Sequence, residues 1–136
     1  MRVIDLPLPG HAKPSLAGVE AAGEFFAPVF RAAGKGNLAV ALCDVDALAF
    51  TLLSYPGCVQ LAEFPLQPLL HQAVTRGCAG IVVAHDFSRP WGKPIVADLD
   101  LADRLLKATE PLNITLLDYL LFGQPSPFSF RRAGIL

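Results

Sequence analysis

Charge is what this chain has least of. Only 17% of its 136 residues are Asp, Glu, Lys or Arg, against about 25% in an average soluble domain. Eleven basic residues stand against twelve acidic ones, a formal net charge of −1. So balanced a chain throws no long-range field, which argues against nucleic acid as a partner and against a polybasic membrane patch. Long apolar runs are missing as well. Although 53% of the residues are apolar, stretches such as 38–43, 47–53 and 80–84 fall far short of the roughly 18 consecutive apolar residues of a membrane-spanning helix. Asp5, Pro7 and Pro9 break up any signal-peptide core at the start. Cysteine is scarce: Cys43, Cys58 and Cys78 are odd in number and lack CxxC spacing. That pattern suits buried thiols in a reducing cytosol better than a disulfide framework or a zinc ribbon. A cytoplasmic protein with no membrane partner is expected.

What is present fits one domain, since ~100–200 residues is the usual size and such a chain buries roughly two thirds of its unfolded surface. Pro7, Pro9, Gly10 and Pro14 mark residues 1–14 as an irregular arm. Ser15 sits where a helix cap belongs, and Leu16, Val19, Phe25, Phe26, Val29 and Phe30 recur at helical spacing up to Gly34-Lys35-Gly36, with Pro28 as a candidate kink. Two apolar runs, 38–43 and 47–54, flank Asp44-Val45-Asp46 and read as a hairpin. A further strand is expected over 58–62, then a short helix opened by Pro65 and Pro68 and closed by Gly77. Ile81-Val82-Val83-Ala84 reads as a strand buried on both faces. A helix from Asp98 to about Thr109, a strand over 114–122 and a short strand at 128–130 complete an α/β chain with a mixed sheet.

In α/β sheets functional groups gather beyond the carboxyl ends of strands. His85 leaves the buried strand at such a point, and Asp98 opens the next helix. The two can converge on one cation. Each also has an ordinary role: His85 can bond a loop carbonyl, and Asp98 can cap its helix. Asp86 suits a turn cap, and Trp91 a packing lid.

Further residues carry a resemblance. Leu101-Ala102-Asp103-Arg104-Leu105, Asn113-Ile114-Thr115-Leu116-Leu117-Asp118-Tyr119 and Phe128-Ser129-Phe130-Arg131-Arg132-Ala133-Gly134-Ile135-Leu136 resemble, in order, the Leu-rich helix, the Ile-Pro-Leu-Leu-Asp-His strand and the Ser-Phe-Arg-x-x-Gly-Leu-Leu ending of the RadC-type branch of the JAB/MPN (JAMM) superfamily. The likeness is strong from Gly80 to Leu136 and looser back to about residue 15, where 38–44 matches the first core strand and 68–77 a helix. It implies a single-domain, three-layer α/β JAB/MPN fold over 15–136, with a mixed, largely antiparallel sheet flanked by helices. The helical domain that precedes it in full-length RadC proteins is expected to be lacking.

An active JAMM site, by what this resemblance implies, holds zinc with an H-x-H pair and an Asp, uses a Glu on the first strand as general base, and has a Ser that stabilises the oxyanion. Carried across, the first His falls on His85 and the Asp on Asp98. The second His falls on Phe87, the Ser on Ile95, and the Glu, counted without gaps, on Gly36. No Glu lies between Glu24 and Glu63, and Ser88-Arg89-Pro90 replaces the usual Pro-Ser-Gly. Asp86 or His71 could stand in as a third ligand, but strand alternation turns Asp86 to the other face and His71 suits a solvated one. The expectation is a vestigial metal site at His85 and Asp98 in a pseudoenzyme with no catalytic residue and no cofactor, zinc being the ion if there is one. Such a protein would act as a scaffold or interaction module, as a homodimer through edge strands or the helix over 16–30. The alternative is a zinc-dependent hydrolase of isopeptidase type with a rearranged site around His85, Asp86 and Asp98. A third is association with DNA repair, for which Arg89, Arg131 and Arg132 are the available basic patch.

Overall fold

The computed structural model describes residues 1–33, 37–57, 60–86, 95–123 and 127–136. Six strands, β1 (Arg2–Asp5), β2 (Asn37–Cys43), β3 (Ala49–Tyr55), β4 (Gly80–Asp86), β5 (Thr115–Phe122) and β6 (Phe128–Ser129), form one sheet in the order β1-β3-β2-β4-β5-β6. Among the described residues only β4 and β5 run parallel; every other neighbouring pair is antiparallel. Helices α1 (Val19–Ala33), α2 (Leu66–Thr75) and α3 (Val96–Thr109) pack around it. This is the mixed, largely antiparallel α/β architecture expected from the sequence.

The strands' period of two explains the three layers. One face of β2 and β4 is lined by Ala39, Ala41, Val82 and Ala84, where small side chains make room for Phe26 and Phe30 of α1. The opposite face presents Leu38, Val40, Leu42, Ile81 and Val83 to Leu69 and Ala73 of α2 and to Leu101 and Leu105 of α3. Both faces are thus covered, and β2 is buried at every position. The hairpin between β2 and β3 is held by Asp44, whose Oδ1 accepts the backbone N–H groups of Asp46 and Leu48.

A parallel pair needs a crossover, and α3 supplies it between β4 and β5. Its first turn therefore lies beside the carboxyl end of β4, where α/β sheets build their sites.

Several sequence readings need correction. Residues 1–14 are not irregular throughout, because Arg2–Asp5 pairs with β3 as an edge strand; the prolines that follow conceal a four-residue strand whose pairing groups come from β3. Ser15 does not cap α1. It forms an isolated bridge to Leu48 while Leu16 is buried in the core, and the helix starts only at Val19. α1 runs on through Pro28. In place of a strand over 58–62, Leu61–Glu63 is a single 3-10 turn; Cys58 lies outside the described residues, as do Gly34 to Gly36.

Candidate functional site

His85 is the sixth residue of β4 and shares the face of Ile81 and Val83 by alternation. It is buried, at 6% exposure. Across from it the first turn of α3 brings in Asp98, fully buried. His85 Nδ1 lies 2.8 Å from Asp98 Oδ1. A carboxylate only accepts, so His85 donates from Nδ1. A third group meets them from β5: the Tyr119 hydroxyl donates to the same Asp98 Oδ1 at 2.7 Å. Tyr119 is itself fully buried, and its ring stacks on Phe130 with centroids 4.6 Å apart. Asp98 Oδ2 is buried with no hydrogen-bond partner among the described residues.

The two residues read from the sequence as a pair are therefore brought together, on the elements expected of them. Asp98 is nevertheless not a helix cap. Ile95 occupies that position with no side-chain cap, and Asp98 is the third helical residue, turned into the core. Ile95, expected at the position of the family's Ser, is half-buried and packs against the α2/α3 core. Asp86 ends β4 with alternation turning it to the α1 face, and His71 is exposed on α2. Among the described residues no third His, Cys, Asp or Glu joins His85 and Asp98 in a group able to hold a metal. Phe87, Gly36, Arg89 and Trp91 lie outside the described residues.

Cys43 does not approach the site. It pairs with Gly80 at the far end of β4, whereas His85 pairs with Leu38. Burial pushes the Cys43 thiol up to about 12, and burial likewise raises Cys78, whose Sγ donates to Gly80 O at 2.9 Å. Both are inert as nucleophiles at neutral pH.

Arg131 and Arg132 are engaged within the chain. Arg131 donates from Nε to Leu117 O and from its guanidinium to Leu116 O. Arg132 pairs with Glu20 at 3.0 Å on the surface, and the Glu20 carboxyl is held below its usual range by that contact.

Sequence reasoning missed Tyr119 as a member of the site. The available signal was a mismatch: Tyr119 stands where the resembled strand pattern has His, in a strand whose only other polar residues are Thr115 and Asp118. Its neighbour Asp118 was equally silent. Its carboxylate accepts from the Tyr119 N–H, the Ser129 hydroxyl and the Arg131 N–H.

Comparison with known proteins gives a match to the family model described as "RadC-like JAB domain" over residues 18–135. Curated relatives described as UPF0758 proteins are similar. One from Aquifex aeolicus is 38% identical over 68 residues, half of this chain and 29% of that protein. One from Acidithiobacillus ferrooxidans is 32% identical over 78 residues, covering 57% of this chain and 35% of its own length. One from Xylella fastidiosa is 29% identical over 117 residues, covering 85% and 52%. The chain thus spans between about a third and about half of these relatives' length.

Proposed function

This chain belongs to the RadC-like JAB domain family, and from that premise we propose that it is a non-catalytic member serving as a scaffold or protein-interaction module. The observation that carries the reading is the state of the retained pair. His85 and Asp98 are bonded directly to each other, Tyr119 shares the same carboxylate oxygen, and no third His, Cys, Asp or Glu joins them among the described residues. Catalytic zinc is ordinarily held by three protein ligands with a fourth position open to water. Among the described residues the donor set is two, short of those three ligands. The absence of a Glu between Glu24 and Glu63 removes the family's general base from its expected strand. Losses of groups that act as a unit compound rather than add.

Elemental analysis of freshly purified protein tests this. Wild type is expected to carry no stoichiometric zinc, and Phe87→His, which restores the family's second histidine in sequence, is expected to acquire zinc affinity. Wild type holding zinc as tightly as Phe87→His would overturn the reading.

One observation favours a second reading, the rearranged zinc hydrolase: Asp98 Oδ2 is a buried carboxylate oxygen with no partner among the described residues, which a cation would satisfy. It requires zinc that is lost on His85→Ala.

The module's partner is proposed to be a second copy of the chain. Edge strands are better placed for that contact than α1, whose Phe26 and Phe30 are spent on the sheet. Sedimentation equilibrium showing a monomer at high micromolar concentration would dismiss the homodimer. DNA is not a proposed partner: net charge is −1, Arg131 bonds backbone carbonyls of β5 and Arg132 pairs with Glu20 on the surface. No helix among the described residues is long and apolar enough to cross a membrane. A reducing, cytoplasmic setting is proposed from the buried free thiols Cys43 and Cys78.

A further inference from the structure

We infer that Tyr119 is the positioning residue of the His85–Asp98 site, and that the C-terminal ending, residues 128–136, holds Tyr119 in place. The role is the same whether or not the site turns anything over.

Two sets of contacts meet at this one residue. On one side, its hydroxyl bonds Asp98 Oδ1 at 2.7 Å, the oxygen that receives His85 Nδ1. A carboxylate on the first turn of a helix can rotate, and with Oδ2 unpartnered among the described residues its orientation rests on what Oδ1 bonds. Tyr119 therefore aims Asp98, and Asp98 holds His85 with its proton on Nδ1.

On the other side, the ending is fastened to Tyr119 and its neighbour. Phe130 stacks on the tyrosine ring at 4.6 Å, is fully buried, and its N–H donates to Tyr119 O at 3.0 Å. Asp118 accepts from Ser129 Oγ and from the Arg131 N–H, at 3.1 Å for the latter. Phe130 O in turn accepts from the Ile135 N–H at 2.8 Å, closing the ending on itself. A displaced ending would free the tyrosine ring, and the hydroxyl would no longer be held on Asp98. A route thus runs from Phe130 of the ending through Tyr119 on β5 and Asp98 on α3, all buried side chains, to His85, the one imidazole in the core.

Proton NMR on the uniformly 15N-labelled full chain reads this directly. The protein has three histidines, and His11 and His71 are exposed, so a slowly exchanging imidazole N–H belongs to His85; its loss in His85→Gln confirms the assignment. Tyr119→Phe removes only the hydroxyl and is expected to shift that resonance and to speed its exchange with water by about tenfold or more, the factor corresponding to about 1.4 kcal/mol. Phe130→Leu, a change in the ending rather than in the trio, is expected to move the resonance in the same direction. Arg132→Ala, which ends only a surface pair with Glu20, is expected to leave it unchanged. An unaltered signal in Tyr119→Phe overturns the positioning role. A signal that moves in Tyr119→Phe but not in Phe130→Leu overturns the hold by the ending. If Phe130→Leu fails to fold, Ser129→Ala, which loosens Asp118 without touching the stack, decides the same point.

Discussion

Asp118 accepts hydrogen bonds from Tyr119, Ser129 and Arg131 at the junction of β5, β6 and the ending. Removing a buried acceptor leaves its donors unsatisfied, so Asp118→Ala is expected to cost about 2–4 kcal/mol in urea unfolding. Gly80 is constrained by space. A Cβ there would lie 2.9 Å from Leu117 Cδ1, because the bulge between Leu116 and Asp118 leans Leu117 over β4. Gly80→Ala makes the half-buried Leu117 side chain shift and should destabilise by about 1 kcal/mol, the low end of an overpacking cost, read in the same assay. The thiols add a pH dependence. Cys43 holds its proton up to about 12 when folded, whereas an unfolded thiol releases it at about 8.5. Its contribution is thus complete below the unfolded value and is lost as pH rises through the folded one. Stability should fall between roughly pH 8.5 and 12, and Cys43→Ala should flatten that fall, as denaturant midpoints across the range will report.

Among the elements, α1 carries a proline in mid-helix. Pro28 is exposed and withholds a backbone donor, so Pro28→Ala is expected to raise the melting temperature, the gain reaching up to about 3 kcal/mol. The helix tolerates the proline because Phe26 and Phe30 pack beside Phe122, with ring centroids 6.3 and 5.1 Å away. Burial on that scale outweighs one missing backbone bond, and Phe26→Ala should cost about 3–5 kcal/mol. The edge strand β1 illustrates the converse: four residues with most side chains exposed carry no periodic signal, and their structure comes from the register with β3. The start of α3 is similar, since Asp98 reads as a cap by residue type. Its burial follows from the crossover's docking, which turns the third helical position inward.

For the molecule as a whole, hydrophobic spacing made the central strands, the three helices and the mixed-sheet α/β class readable, because apolar periodicity is a local property that burial must obey; the layering came from the resemblance. The convergence of His85 and Asp98 was also readable, through strand end, helix start and the resemblance that links them. Tyr119 was not. A tyrosine in a leucine-rich strand looks like packing until the parallel register of β4 and β5 and the placement of α3 bring its hydroxyl onto a carboxylate 21 positions earlier in the chain. Composition and periodicity are set by each residue's own preference for water or for its neighbours, so they survive in one dimension. The partners of a buried polar group are chosen by which elements pack side by side, and that choice exists only once the sheet and its helices have closed around it.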